Sequence, residues 1–139
     1  MILTPHEQSI GIKILQNGLK GPAIFDTLSR QQIKDLTNGC GPQGAGWIVP
    51  ERAFNASFRQ CCQIHDIMYL CGFDKRLCDR IFYENNMEKA SRAFVVIRPA
   101  AEWSAFMYYL AVKNCGHGAY ARACEDGKAL GLSYQIERT

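Results

Sequence analysis

Hydrophobic positions along most of this chain are spaced for helices. From about Glu51 to Leu70 no glycine or proline interrupts, and Phe54, Phe58, Cys61, Cys62, His65 and Tyr69 recur at helical intervals, so one long helix is expected there. Gly72 breaks the pattern, and Asp74 is placed to cap a second helix running to about Arg92 with Leu77, Ile81 and Phe82 on one face. The connection is tight, so these two helices should lie antiparallel. Pro99 opens a further helical segment through Trp103, Phe106, Leu110 and Asn114. Nearer the start, Pro5 to Asn17 reads as a short amphipathic helix with Ile10, Ile14 and Leu15 inward and Gly18 as its stop. The period fails in two places. Glycines 39, 41, 44 and 46, with Cys40 and Pro42 among them, favour a loop, and the stretch containing Gly116, Gly118 and Gly127 fits no simple pattern. Strand content should be minimal, which makes the fold class all-α.

Length and composition narrow this further. At 139 residues, one domain spanning 1–139 is expected, and 47% hydrophobic with 21% charged residues is a normal globular balance that excludes the disordered classes. The net charge of +3, from 16 basic and 13 acidic residues, is too small and too interspersed to predict a nucleic-acid partner. The longest apolar stretch, Phe94 to Val112, is broken by Arg98, Pro99 and Glu102, so no membrane span is expected. Seven cysteines, at 40, 61, 62, 71, 78, 115 and 124, exceed what a reduced cytosolic protein usually carries and point to a secreted or otherwise oxidising setting. Zinc ligation would want paired cysteines two residues apart, and no such pair exists. The first residues, MILTPHEQSI, lack the basic and apolar regions of a signal peptide, so export is expected to follow its removal or to use another route.

Candidate chemistry concentrates between Gly39 and Tyr69, in N-G-C-G-P-Q-G-A-G-W followed by C-C-Q-I-H-D-I-M-Y. A glycine-rich loop can turn several backbone carbonyls toward one point, which suits a hard cation such as Ca²⁺ that takes six to eight oxygen ligands. A lone histidine on a helix is more often structural, and an adjacent Asp more often a solvated charge. Here, however, both lie in a cysteine-rich helix downstream of such a loop. His6 and His117 have no comparable company and are expected at the surface.

These two motifs, Cys40 to Gly46 as C-G-x-x-G-x-G and Cys61 to Tyr69 as C-C-x-x-H-D-x-x-Y, resemble the calcium loop and catalytic helix of the secreted phospholipase A2 superfamily. The resemblance covers about residues 36 to 115. It implies a small disulfide-stapled helical domain in which two long antiparallel helices and a glycine-rich calcium loop carry the site. By matching, the carbonyls of Gly39, Gly41 and Gln43 and the carboxylate of Asp66 would ligate Ca²⁺, with Gln43 standing where the family usually has glycine. His65 would be the general base, and the Gly41 N–H an oxyanion donor. The activity implied is hydrolysis of the sn-2 ester of a glycerophospholipid at a membrane or micelle surface, without a covalent intermediate.

The resemblance also implies the pairings Cys40–Cys62 and Cys61–Cys115. Geometry requires only that Cys61 and Cys62, about 100 degrees apart on a helix, pair in different directions. Cys71 and Cys78 flank the turn and are placed to close it, leaving Cys124 odd. Phe54 and Phe58 read as core, whereas Trp47 and Ile48 are as readily part of an apolar mouth facing lipid. Asn55-Ala56-Ser57 matches a glycosylation sequon that matters only in a eukaryotic secretory setting. Two rivals stand beside the enzyme: a non-catalytic module of the same superfamily, against which the retention of Asp66 argues, and a cysteine/histidine metal or redox protein of another fold.

The carboxylate that orients His65 requires a choice. The best-known branch takes it six residues before the cysteine matching Cys115, where this chain has Tyr109. The prokaryotic-type branch takes it from an Asp-x-x-Phe segment directly after the turn and carries a later Tyr-Tyr-x-Ala-Val-Lys segment. This chain has Asp79-Arg80-Ile81-Phe82 and Tyr108-Tyr109-Leu110-Ala111-Val112-Lys113. His65 and Asp79 each lie seven residues from Gly72, so an antiparallel hairpin turning there brings them level. Asp79 is therefore the expected partner, with Tyr69 or Tyr109 as supporting donors.

Overall fold

The computed structural model of the chain describes residues 1–37, 52–53 and 56–132. Among these residues it is mainly helical. Six α-helices, a 3-10 turn and two short β-ribbons follow one another as α1 (Pro5–Ser9), β1 (Ile12–Ile14), β2 (Lys20–Pro22), the 3-10 turn (Ala23–Thr27), α2 (Arg30–Leu36), β3 (Arg52–Ala53), β4 (Ala56–Ser57), α3 (Arg59–Leu70), α4 (Lys75–Ser91), α5 (Arg98–Cys115) and α6 (His117–Ala129).

The N-terminal segment corrects the expected helix over Pro5–Asn17. Thr4 and Glu7 form a reciprocal capping box on α1, but Gly11, at φ 90°, ends the helix after one turn and a half. The segment Ile12–Ile14, with β-branched residues at both ends, then pairs as a ribbon, Ile12 opposite Pro22 and Ile14 opposite Lys20, with Gly18 at φ 84° in its turn. Ile12, Leu15 and Leu19 are buried all the same, so the apolar residues reach the core by a different backbone route. Neither the 3-10 turn nor α2 was expected. Helix α2 carries a sequence-level signal in Ser29-x-x-Gln32, whose side chains cap each other's backbone amides.

The helix expected over Glu51–Leu70 begins only at Arg59. Upstream, Arg52 pairs with Ser57 and Ala53 with Ala56, a ribbon that satisfies those backbone groups without a helix. The next two elements fall where the sequence places them. Helix α3 ends at Gly72, φ 76°, where the Phe73 N–H reaches back to the Met68 carbonyl. Asp74 Oδ2 then accepts from the Leu77 N–H and starts α4. Helix α4 packs on both α3 and α5, and Ile64, Ile67, Met68, Ile81, Phe82, Tyr108 and Val112 form the centre of the core. Helix α6 holds Gly127 where it meets α3: a Cβ there would lie 1.6 Å from the Leu70 carbonyl oxygen. That close backbone approach is why position 127 of the helix is glycine.

A buried polar brace fixes the N-terminal ribbon to α4. The Asn85 amide bonds both the N–H and the carbonyl of Lys20, at 2.9 and 2.8 Å. Lys20 Nζ sits between Glu7 Oε1 at 3.1 Å and Glu84 Oε2 at 2.8 Å, and Arg80 Nη2 approaches Glu7 Oε2 at 3.4 Å. Because Glu7 and Lys20 are nearly inaccessible, their charges persist only as a mutually satisfied set.

Disulfide stapling is where the sequence reading needs its largest correction. Cys62 is disulfide-bonded, and Cys40, its expected partner, lies outside the described residues. Cys61, Cys71, Cys78, Cys115 and Cys124 are thiols. The Cys61–Cys115 pairing is prevented by helix direction. Cys61 lies at the start of α3, within the field of Lys89 and Arg92 near the end of α4, whereas the end of α5 meets Lys75 at the start of α4. Fourteen residues of helix, about 20 Å, separate those two levels. Cys71 and Cys78 do flank the turn, but Cys78 Sγ is directed at the Phe73 carbonyl, 3.5 Å away. Among the described residues no helix is long and apolar enough to cross a membrane.

Candidate active site

Helices α3 and α4 bring His65 and Asp79 together. His65 Nε2 lies 2.8 Å from Asp79 Oδ1, and the Tyr69 hydroxyl donates to the same oxygen at 2.6 Å. The second carboxylate oxygen, Oδ2, accepts from Lys75 Nζ at 2.7 Å. Burial alone would raise the Asp79 pKa, but the bonds from His65, Lys75 and Tyr69 outweigh it and hold the carboxyl below its usual range. An ionised carboxylate can only accept, so the proton on this bond belongs to His65 Nε2 and the Nδ1 lone pair is left unprotonated.

The imidazole is 4% exposed. Its ring is packed between Tyr69 and Phe82, with centroids 4.1 and 4.5 Å away. Burial first of all lowers its pKa, aided by the Lys75 charge and opposed by Asp79, so His65 is neutral at neutral pH. The Tyr69 hydroxyl is held well above its ordinary pKa by burial and then by Asp79, so it remains a donor. A neutral, oriented imidazole with one unprotonated nitrogen has the form that a general base requires.

Of the alternative supporting donors, Tyr69 takes the role. Tyr109 instead packs its ring against Tyr83 and Phe106. Lys75 is absent from the sequence reading, although it stands four residues before Asp79 on one helix, the spacing at which such pairs meet. Asp79 also borders an open cleft of about 1030 Å³ that Lys75, Arg80, Tyr109, Lys113 and the exposed His6 and His117 help line.

Asp66 follows His65 on α3 and is half-buried. Gly39, Gly41 and Gln43, together with Trp47 and Ile48, lie outside the described residues. Among the described residues no three His, Cys, Asp or Glu side chains stand close enough to hold a metal. Of the residues expected to hold an ion, only Asp66 is described, and its carboxylate is a hard oxygen donor of the kind Ca²⁺ takes, unlike the thiolate and imidazole sets of zinc.

Scanned against protein-family models, curated proteins and solved structures, the chain matches none of them.

Proposed function

We propose that this chain is a calcium-dependent phospholipase A2 that hydrolyses the sn-2 ester of glycerophospholipids to a fatty acid and a lysophospholipid. The observation that carries the reading is the buried His65–Asp79 pair, at 2.8 Å, with Tyr69 on the same carboxylate oxygen and Nδ1 left as the basic atom.

In this mechanism His65 Nδ1 takes a proton from a water molecule as that water attacks the ester carbonyl. Asp79 offsets the charge of the imidazolium, and Nδ1 then returns the proton to the departing glycerol oxygen, so no covalent intermediate forms. Asp66, with the carbonyls that the motif resemblance assigns to Gly39, Gly41 and Gln43, would hold Ca²⁺, and the Gly41 N–H would face the developing oxyanion. When bound, Ca²⁺ supplies positive charge toward the ester carbonyl and the lipid phosphate.

Contact with a lipid surface is supported by Phe94, Val95, Val96 and Trp103, large apolar residues that are 72%, 71%, 87% and 63% exposed. The disulfide at Cys62 supports an oxidising compartment.

The test is fatty-acid release from phospholipid micelles labelled separately at each acyl position, with calcium and with chelator. Release from the sn-2 position alone, lost with chelator and in His65→Gln, is expected. A chain that binds the micelles yet releases no acid would be a non-catalytic module, and sn-1 release would overturn the regiochemistry.

A further inference from the structure

The geometry points to Lys75 as a third, positioning member of the His65–Asp79 pair. Its ammonium donates to Asp79 Oδ2 at 2.7 Å, to the Val112 carbonyl at 3.0 Å and, more loosely, to the Lys113 carbonyl at 3.4 Å. All three of its N–H groups are therefore engaged, and the side chain is only 13% exposed. The inference rests on the hydrolase reading for its consequence but not for its geometry.

The two oxygens of Asp79 are held by different elements. Oδ1 takes the donors of α3, His65 and Tyr69, while Oδ2 takes Lys75 of α4. With Lys75 removed, a nearly buried oxygen loses its charged donor and the carboxylate is free to turn about its terminal bond, which would alter the direction of the His65 bond. The same ammonium closes the carbonyl end of α5, where a cation is favoured by the helix dipole. Orientation of the base is thereby tied to the seating of α5. Gly116 adjoins the same arrangement, since a Cβ there would lie 3.2 Å from the Tyr69 hydroxyl. A lysine that served only to close α5 would leave the imidazole unaffected; one that fixes Asp79 would not.

The experiment compares wild type, Lys75→Met and Lys75→Arg in full-length protein, by steady-state lipid hydrolysis and by the ¹⁵N imidazole spectrum of His65 at one neutral pH. Lys75→Met should lower kcat about tenfold with KM changed less than about twofold, as loss of an orienting group does. It should also convert a single Nε2–H tautomer into a mixture. Lys75→Arg, which keeps the charge and the donors, should restore most of both. Wild-type kcat and an unchanged tautomer in Lys75→Met would overturn the assignment, as would Lys75→Arg failing as badly as Lys75→Met while retaining the native circular dichroism. Should Lys75→Met not fold, Lys75→Gln keeps amide donors for the α5 carbonyls without the charge, and wild-type kcat in that variant overturns the assignment equally. If wild type itself releases no fatty acid, the hydrolase reading fails and the tautomer spectrum alone decides the role of Lys75.

Discussion

His65 and Asp79, fourteen residues apart in sequence and on facing helices, share a 2.8 Å bond between Nε2 and Oδ1 in a site nearly closed to solvent. Asp79→Asn keeps the shape but offers an amide in place of an obligate acceptor. Turnover should fall at least about tenfold while calcium affinity stays nearly constant. Micelle hydrolysis beside a calcium titration measures both, and wild-type turnover would remove Asp79 from the mechanism.

Asp66 should control the ion rather than the proton. Calorimetric titration of Asp66→Ala is expected to show no calcium binding where wild type binds in the millimolar range or tighter, within the range of extracellular sites. Undiminished affinity in the variant would break the proposed ligand set.

The Glu7–Lys20 brace gives the stability a definite pH dependence. Burial opposes the charged form of Glu7, but the Thr4 amide and Lys20 prevail, so its folded pKa is lowered; those of His65 and Asp79 are lowered as well. For all three, the unfolded chain binds more protons. Stability should therefore decline on acidification, beginning near pH 6.5 as unfolded histidine protonates and steepening near pH 4. Lys20 is shifted upward, its two carboxylate partners outweighing burial, and its contribution is lost only at strongly alkaline pH. Glu7→Gln, which leaves the Lys20 ammonium short of one buried partner, should cost about 3 kcal/mol in urea denaturation and flatten the acid limb.

The thiols should separate by burial. Burial pushes the Cys61 and Cys71 thiols up to about 12 and Cys78 well above its ordinary value, whereas Cys115 is exposed. Alkylation of the native protein near pH 8 should label Cys115 first. Denaturation without reductant should release Cys61, Cys71, Cys78 and Cys124 as well, and Cys62 only after reduction. A Cys61–Cys115 linked peptide in the mass spectrum would contradict the helix arrangement.

Gly127 tests the seating of α6. Gly127→Ala places a methyl 1.6 Å from the Leu70 carbonyl oxygen, a backbone atom that cannot swing aside, so a loss of about 2 kcal/mol or more is expected. A mutant as stable as wild type would mean that α6 packs elsewhere.

The pairing of His65 with Asp79 was legible in sequence because its determinants are local. Gly72 and Asp74 specify a stop and a start within three residues, and two antiparallel helices leaving such a turn bring residues seven positions to either side level, which places His65 beside Asp79. Helices α4 and α5 were equally readable, from Asp74 and from Pro99. What the sequence could not supply were relations fixed by the packing of distant segments. Apolar periodicity predicts that Ile12 and Leu15 are buried, but not whether a helix or a ribbon buries them; that was decided by Gly11 and by the docking of Lys20 against Asn85. Cysteine positions show which pairings are possible, while the direction of α5 along α4 sets Cys115 and Cys61 at opposite ends. Lys75 is the closest case: its spacing from Asp79 could be read from the chain, but its bond to the Val112 carbonyl exists only because α5 ends there.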